Sequence, residues 1–97
     1  MEIYLIVIGK TVTGYSSHCP DVPGCAAVGT SVESVVASMQ SALEFHFEGM
    51  LEDGDPIPLP AGVGAYSKAM KDFEIDRELL AHVRIDTSRF APTLSRA

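Results

Sequence analysis

Near the N-terminus, Ile3-Tyr4-Leu5-Ile6-Val7-Ile8 runs without a polar break. Successive side chains of a strand point to opposite faces, so a run that is apolar at every position predicts a central strand covered on both sides. Such a strand must find two layers of cover, and that demand constrains the rest of the fold. At six residues the run is far short of the ~20 apolar residues that a membrane-spanning helix needs, so no membrane association is expected.

Short connections follow. Gly9 to Thr13 reads as a turn, and Tyr15 to Cys19 as a second, more polar strand, with Tyr15, Ser17 and Cys19 on one face and Ser16 and His18 on the other. Pro20-Asp21-Val22-Pro23-Gly24 cannot belong to a hydrogen-bonded ladder, because two prolines remove donors and Gly24 favours a positive φ. Cys25 to Gly29 then forms a third, short strand, and three sequential strands with brief connections predict an antiparallel meander.

Thr30-Ser31-Val32-Glu33 has the form of a capping box, with a hydroxyl at the N-cap and Glu33 reaching back from the third helical position. Val32, Val35, Val36, Met39, Leu43, Phe47, Met50 and Leu51 recur at helical spacing as one wide apolar stripe. Gly54 and Pro56 stop it. A helix of about 22 residues spans ~33 Å, enough to lie diagonally across a small sheet. Ile57-Pro58-Leu59-Pro60 reads as extended chain, Gly62 and Gly64 mark a loop, and Ala65 to Asp72 has room for a short helical turn. Leu79 to Asp86 alternates cleanly, with Leu79, Ala81, Val83 and Ile85 inward and Leu80, His82, Arg84 and Asp86 outward, and is the fourth strand.

The expected fold is α+β, in the order β-β-β-α-β: an antiparallel meander with one long helix packed on the sheet. Residues 1–90 form a single domain and 91–97 a C-terminal tail. No second long helix is legible to cover the other face of the first strand, and self-association is one remedy.

Charge narrows the function. Residues 31–60 hold Glu33, Glu44, Glu48, Glu52, Asp53 and Asp55 and no Lys or Arg, which accounts for the whole net charge of −6. A chain of that sign, with no basic block, is a poor autonomous binder of nucleic acid. Glu44, Glu48 and Glu52 stand four apart on the helix face away from the core, where like charges cost ~0.2–0.5 kcal/mol per pair. Either they form a solvated face or they dock a basic protein partner. Asp21 sits in the proline loop, where it can bond its own backbone in an Asx-type turn, and that loop is a second surface able to meet a partner.

Catalytic readings find little support. His18 adjoins Ser17 and Cys19, but neighbouring strand residues face opposite sides, so it cannot easily activate either. No Gly-x-Ser-x-Gly, phosphate loop or zinc helix is present. A two-metal nuclease needs several inward carboxylates in one cleft, and the strands of the meander offer Glu2 and Asp21 alone. His18, Cys19, Cys25 and His46 match no zinc ribbon or finger, so no metal and no cofactor are expected, and the two cysteines are read as buried thiols. His46, between Phe45 and Phe47, is read as packing, and His82 as facing solvent or an interface. The N-terminus carries neither a basic leader nor a small-residue cleavage site, and a cytoplasmic chain is expected.

Gly14-Tyr15, then Pro20-Asp21-Val22-Pro23-Gly24-Cys25, then Gly29 before a hydroxyl-capped helix, then Gly54-Asp55-Pro56-Ile57-Pro58-Leu59-Pro60, together resemble the HicB-like antitoxin family. The family usually carries Gly-Asp-Thr before the helix, where this chain has Gly29-Thr30-Ser31. The resemblance implies a partial ribonuclease-H-like β-β-β-α-β domain, and an antitoxin that neutralises a small basic, double-stranded-RNA-binding-like toxin that cleaves mRNA. It also implies dimers or tetramers. Many members add a DNA-binding domain that represses their own operon. The seven residues Ala91 to Ala97, with one Arg, are too few for such a helix pair, so no separate DNA-binding domain and no operator binding by this chain alone are expected. On this reading Glu44, Glu48, Glu52 and Asp21 are the partner-binding candidates and there are no catalytic residues. The alternatives are a stand-alone regulatory or assembly module of the same fold and a metal-dependent nuclease-like enzyme.

Overall fold

A computed structural model describes residues 1–90; the expected tail over 91–97 lies outside the described residues. The order is β1 (Glu2–Lys10), β2 (Tyr15–His18), β3 (Ala26–Gly29), α1 (Val32–Asp53), α2 (Val63–Met70) and β4 (Glu78–Ile85), followed by a 3₁₀ turn, Thr87–Phe90. All neighbouring strands are antiparallel, and they line up as β3-β2-β1-β4. The meander is there, β4 returns to flank β1, and α1 packs across the sheet.

β1 is central in the expected sense. Tyr4, Leu5, Ile6, Val7 and Ile8 are all buried in succession. Tyr4, Ile6 and Ile8 turn toward α1, whose Val35, Met39, Leu43 and Phe47 fall four residues apart and are fully buried. Phe47 sits at the middle of an aromatic cluster, with ring centroids 5.5 Å from Tyr4 and 5.7 Å from Phe90. Val83 and Ile85 of β4 complete this layer, as their alternation predicts. Leu79, at the start of the same strand, stays 38% exposed.

The second face takes cover that the sequence did not disclose. Where a short helical turn was expected, α2 is a two-turn helix lying against this face. Its Ala65 and Ala69 press on Leu5 and Val7, with Phe73 and Leu80 at the margin. Two alanines one turn apart let the helix backbone approach closely while presenting almost no apolar signal in sequence. The cover is partial: Ile3, on the same face, remains 49% exposed.

The capping box is present but one residue later than expected. Ser31, not Thr30, is the N-cap: its hydroxyl accepts from the Ser34 N–H at 3.0 Å, and the Ser34 hydroxyl in turn accepts from the Ser31 N–H at 3.0 Å. Ser34 therefore plays the part assigned to Glu33, which is exposed. At the other end Gly54 adopts φ 77°, and its N–H reaches back to Leu51 O, a left-handed cap that glycine takes at no steric cost. Gly29 answers a different demand. A Cβ there would lie 2.6 Å from Val35 N and 2.8 Å from Val35 Cα, so β3 and the first turn of α1 can meet only if this position has no side chain.

Candidate partner-binding surface

The Pro20–Gly24 loop is a pair of successive tight turns, closed by Val22 N–H to Cys19 O at 3.0 Å and Cys25 N–H to Val22 O at 3.2 Å. The turns aim every third side chain inward, so Cys19, Val22 and Cys25 all enter the main core. Both cysteines are free and buried. Burial pushes the Cys19 thiol up to about 11, helped by the nearby Asp21 charge, and also raises Cys25. Neither is poised as a nucleophile, since the thiolate is the reactive form.

Asp21 emerges from that loop as a clasp. Its carboxylate side chain is 3% exposed; one oxygen accepts the Ala61 N–H at 2.9 Å and the other meets Lys68 Nζ at 3.5 Å. Ala61 lies on the approach to α2 and Lys68 lies within it, so one carboxylate ties the loop after β2 to the helix that covers the second face. Tyr4 makes a parallel tie: its hydroxyl donates to Pro58 O at 2.7 Å, and burial, then the Glu2 charge, raise that phenol to about 12. Together these two bonds fix the extended Ile57–Pro60 segment and the chain after it to β1 and to the loop after β2.

Glu44, Glu48 and Glu52 occupy one flank of α1 rather than its outermost face. Each follows a residue of the apolar stripe, Leu43, Phe47 and Leu51, and so lies beside the buried seam. The outermost face instead carries Ala37, Ser38, Ser41 and an exposed Phe45. The 3₁₀ turn passes along the acidic flank because Phe90 is anchored against Phe47. That anchor sets Arg89 across two of the three acids, with Nη1 3.6 Å from Glu44 and Nη2 3.7 Å from Glu48. Glu52 is exposed at the end of the row. Neither Arg89 nor Lys68 was singled out from the sequence. Each meets its acid across some forty residues of chain, and no local pattern announces such a pair.

Of the histidines, His46 stands half-buried beside Phe47 and His18 is exposed. His82 is exposed on β4 and bonds Tyr66 Oη through Nε2. Among the described residues, no three His, Cys, Asp or Glu side chains converge into a group that could hold a metal ion. An open cleft beside the ends of β1 and β4 is lined by Lys10, Tyr15, Arg77 and Leu79 together with Asp76 and Glu78; its charges are mixed, and no nucleophile there is paired with a base. No described helix is long and apolar enough to cross a membrane.

Comparison with known proteins follows the same lines. A family model described as the HicB_like antitoxin of bacterial toxin-antitoxin system matches residues 4–97. An uncharacterized 14.9 kDa protein from the rep-hol intergenic region of Haemophilus phage HP1 is 37% identical over 73 residues, covering 73% of this chain and 55% of that protein. The crystal structure of antitoxin HicB3 superposes with a TM-score of 0.74 at 29% identity, over 91% of this chain and 65% of that one. A chain of the HicA3 and HicB3 toxin-antitoxin complex superposes at 0.69 and 28% identity, over 87% of this chain and 98% of its own length. The chain thus spans about half the length of the phage relative and just under two thirds of the HicB3 antitoxin chain.

Proposed function

The chain belongs to the HicB-like antitoxin family of bacterial toxin–antitoxin systems, and from that premise we propose that it binds and neutralises a small, basic, mRNA-cleaving toxin as a stoichiometric, non-catalytic inhibitor. The observation that carries the reading is the likeness, over 87% of this chain, to a chain of a toxin–antitoxin complex. The charge agrees with it. An acidic chain of net charge −6 is repelled by RNA and attracted by a protein that must itself be basic to hold RNA.

The acidic flank of α1 is the docking face of this proposal. Arg89 already rests on Glu44 and Glu48 there, and both ion pairs are long and solvent-exposed. Such pairs are worth roughly 0–1 kcal/mol, so an incoming basic side chain displaces Arg89 at little cost. Glu52, beyond the reach of these pairs, adds a third carboxylate. Asp21 contributes from inside, by holding the Pro20–Gly24 loop in the shape that a partner meets. On this proposal the chain works in the cytoplasm as a dimer or tetramer, and its net charge of −6 disfavours operator binding by itself.

Growth rescue tests the reading. Induction of the proposed small basic toxin should arrest growth, and co-expression of the chain should restore it. Continued arrest, with both proteins present at equal levels, would leave a module of the same fold with some other partner.

A further inference from the structure

β4 is an end strand of the sheet, and its outer edge meets no other strand among the described residues. The direction of its backbone groups follows from one bond. Lys10 N–H donates to Arg77 O at 3.0 Å, so residues 10 and 77 are a hydrogen-bonded pair, and such pairs recur at every second position of an antiparallel ladder. In the observed register Ile8–Leu79, Ile6–Ala81 and Tyr4–Val83 are then hydrogen-bonded too. Leu80, His82 and Arg84, between them, turn N–H and C=O outward. Glu78 N–H also points that way, and among the described residues it alone is taken, by Glu74 O at 2.8 Å.

Natural sheets blunt such an edge with Pro, Lys, a bulge or an inward charge. β4 has none of these: its sequence is ELLAHVRI, and its eight pairs with β1 run without interruption. The strand carries one acid, Glu78, and one base, Arg84, six positions apart and on the same face.

We propose that β4 pairs antiparallel with β4 of a second copy, about a two-fold axis perpendicular to the sheet at Ala81, joining two four-stranded sheets into one. An axis of that kind keeps each face on its own side, so directly opposed residues must share a face and the axis must pass where one residue meets its own copy. At Ala81 it sets Glu78 against the partner's Arg84, Leu80 against the partner's His82 and Leu79 against the partner's Val83. At His82 it would set Glu78 against the partner's Asp86 and Leu80 against the partner's Arg84. At Val83 it would set His82 against the partner's Arg84, and at Leu80 it would carry Arg84 beyond the end of the partner strand. The Ala81 register alone pairs the acid with the base, and does so twice by symmetry, while using the outward groups of Leu80 and His82 as donors and acceptors. The Tyr66 bond already holds the His82 ring, and the half-exposed Leu79 gains an apolar neighbour.

The inference rests on the self-association proposed above and specifies its surface; it is independent of toxin binding. Sedimentation of the wild type should give a dimer at ~100 μM, a concentration at which a specific interface of even modest affinity is occupied. Arg84→Glu, on an exposed side chain, turns two attractive cross-strand pairs into repulsive ones and should weaken the dimer roughly tenfold or more. Glu78→Lys combined with Arg84→Glu should restore it. Ala81→Cys should cross-link to itself under mild oxidation, because opposed residues of a non-hydrogen-bonded pair lie ~4.5 Å apart at Cα, within disulfide reach; His82→Cys, opposed to Leu80, should not. A monomeric wild type overturns self-association as well as this surface. An oligomer that ignores Arg84→Glu, or one in which Ala81→Cys stays reduced, overturns the β4 pairing and leaves self-association standing.

Discussion

Asp21→Ala removes the clasp between the Pro20–Gly24 loop and α2, and its cost can be worked from the geometry. The carboxylate is 3% exposed, accepts the Ala61 N–H at 2.9 Å and lies 3.5 Å from a Lys68 ammonium that is 59% exposed. A hydrogen bond to a charged group contributes about 1.5–3 kcal/mol. The Lys68 pair, long and wet on one side, adds about 0–1 kcal/mol. Against these stands relief from burying a charge, and Ala61 is exposed enough for its N–H to turn to water. The expected net loss is therefore about 2 kcal/mol, which in a domain of this size lowers the melting temperature by roughly 10 °C. Asp21→Asn keeps an acceptor for Ala61 and should lose no more than about half as much. Urea melts of the three proteins measure the loss, and hydrogen exchange locates it, since the amides of α2 should open more readily than those of α1. A melting temperature for Asp21→Ala within a degree or two of wild type would refute the clasp. Full stability joined to lost partner binding would instead make Asp21 a direct contact.

Gly29→Ala should destabilise by about 1–3 kcal/mol in chemical denaturation, because its Cβ would collide with the Val35 backbone and β3 would have to shift away from α1. Changing Glu44, Glu48 and Glu52 together to Gln should leave stability nearly unchanged, since losing the two Arg89 pairs offsets relief from like-charge repulsion and the helix dipole. Its association with the proposed toxin should slow and lose its salt dependence in stopped flow; equal rates and salt slopes would remove this flank from the interface. Stability should also fall in alkali. The unfolded Cys19 thiol ionises near its ordinary value of 9.0 while the folded one holds its proton to about 11, and Tyr4 behaves likewise between 10.0 and about 12. The unfolded state thus releases protons first as pH rises, and each group costs up to about 1.4 kcal/mol per pH unit across its window. Urea midpoints from pH 8 to 11 in wild type and Cys19→Ala should differ in slope above pH 9.

Much of this fold was legible locally. The run from Ile3 to Ile8 announced a strand covered on both faces, and Tyr4 to Ile8 are buried to within a few per cent. Stripe, hydroxyl cap and Gly54 bounded α1. What escaped was either degenerate or distant. Thr30, Ser31 and Ser34 all carry hydroxyls, so sequence could not say which residue caps and which answers. α2 buries two alanines between glycines and polar residues, a pattern without the amphipathic contrast that marks a packing helix. Asp21 meets Ala61 and Lys68, and Arg89 meets Glu44 and Glu48, only once the chain has folded back on itself. Charge pairs at that separation leave no periodic trace, so the row of acids on α1 gives no sign in sequence that two of them hold a base.

Inhibition stoichiometry tests the central claim most directly. The proposed small basic toxin is purified and allowed to cleave mRNA while the chain is titrated in, well above the dissociation constant. An antitoxin that acts by occlusion should reduce cleavage in a straight line to zero at a fixed molar ratio. Cleavage that persists undiminished in several-fold excess of the folded chain would contradict that account.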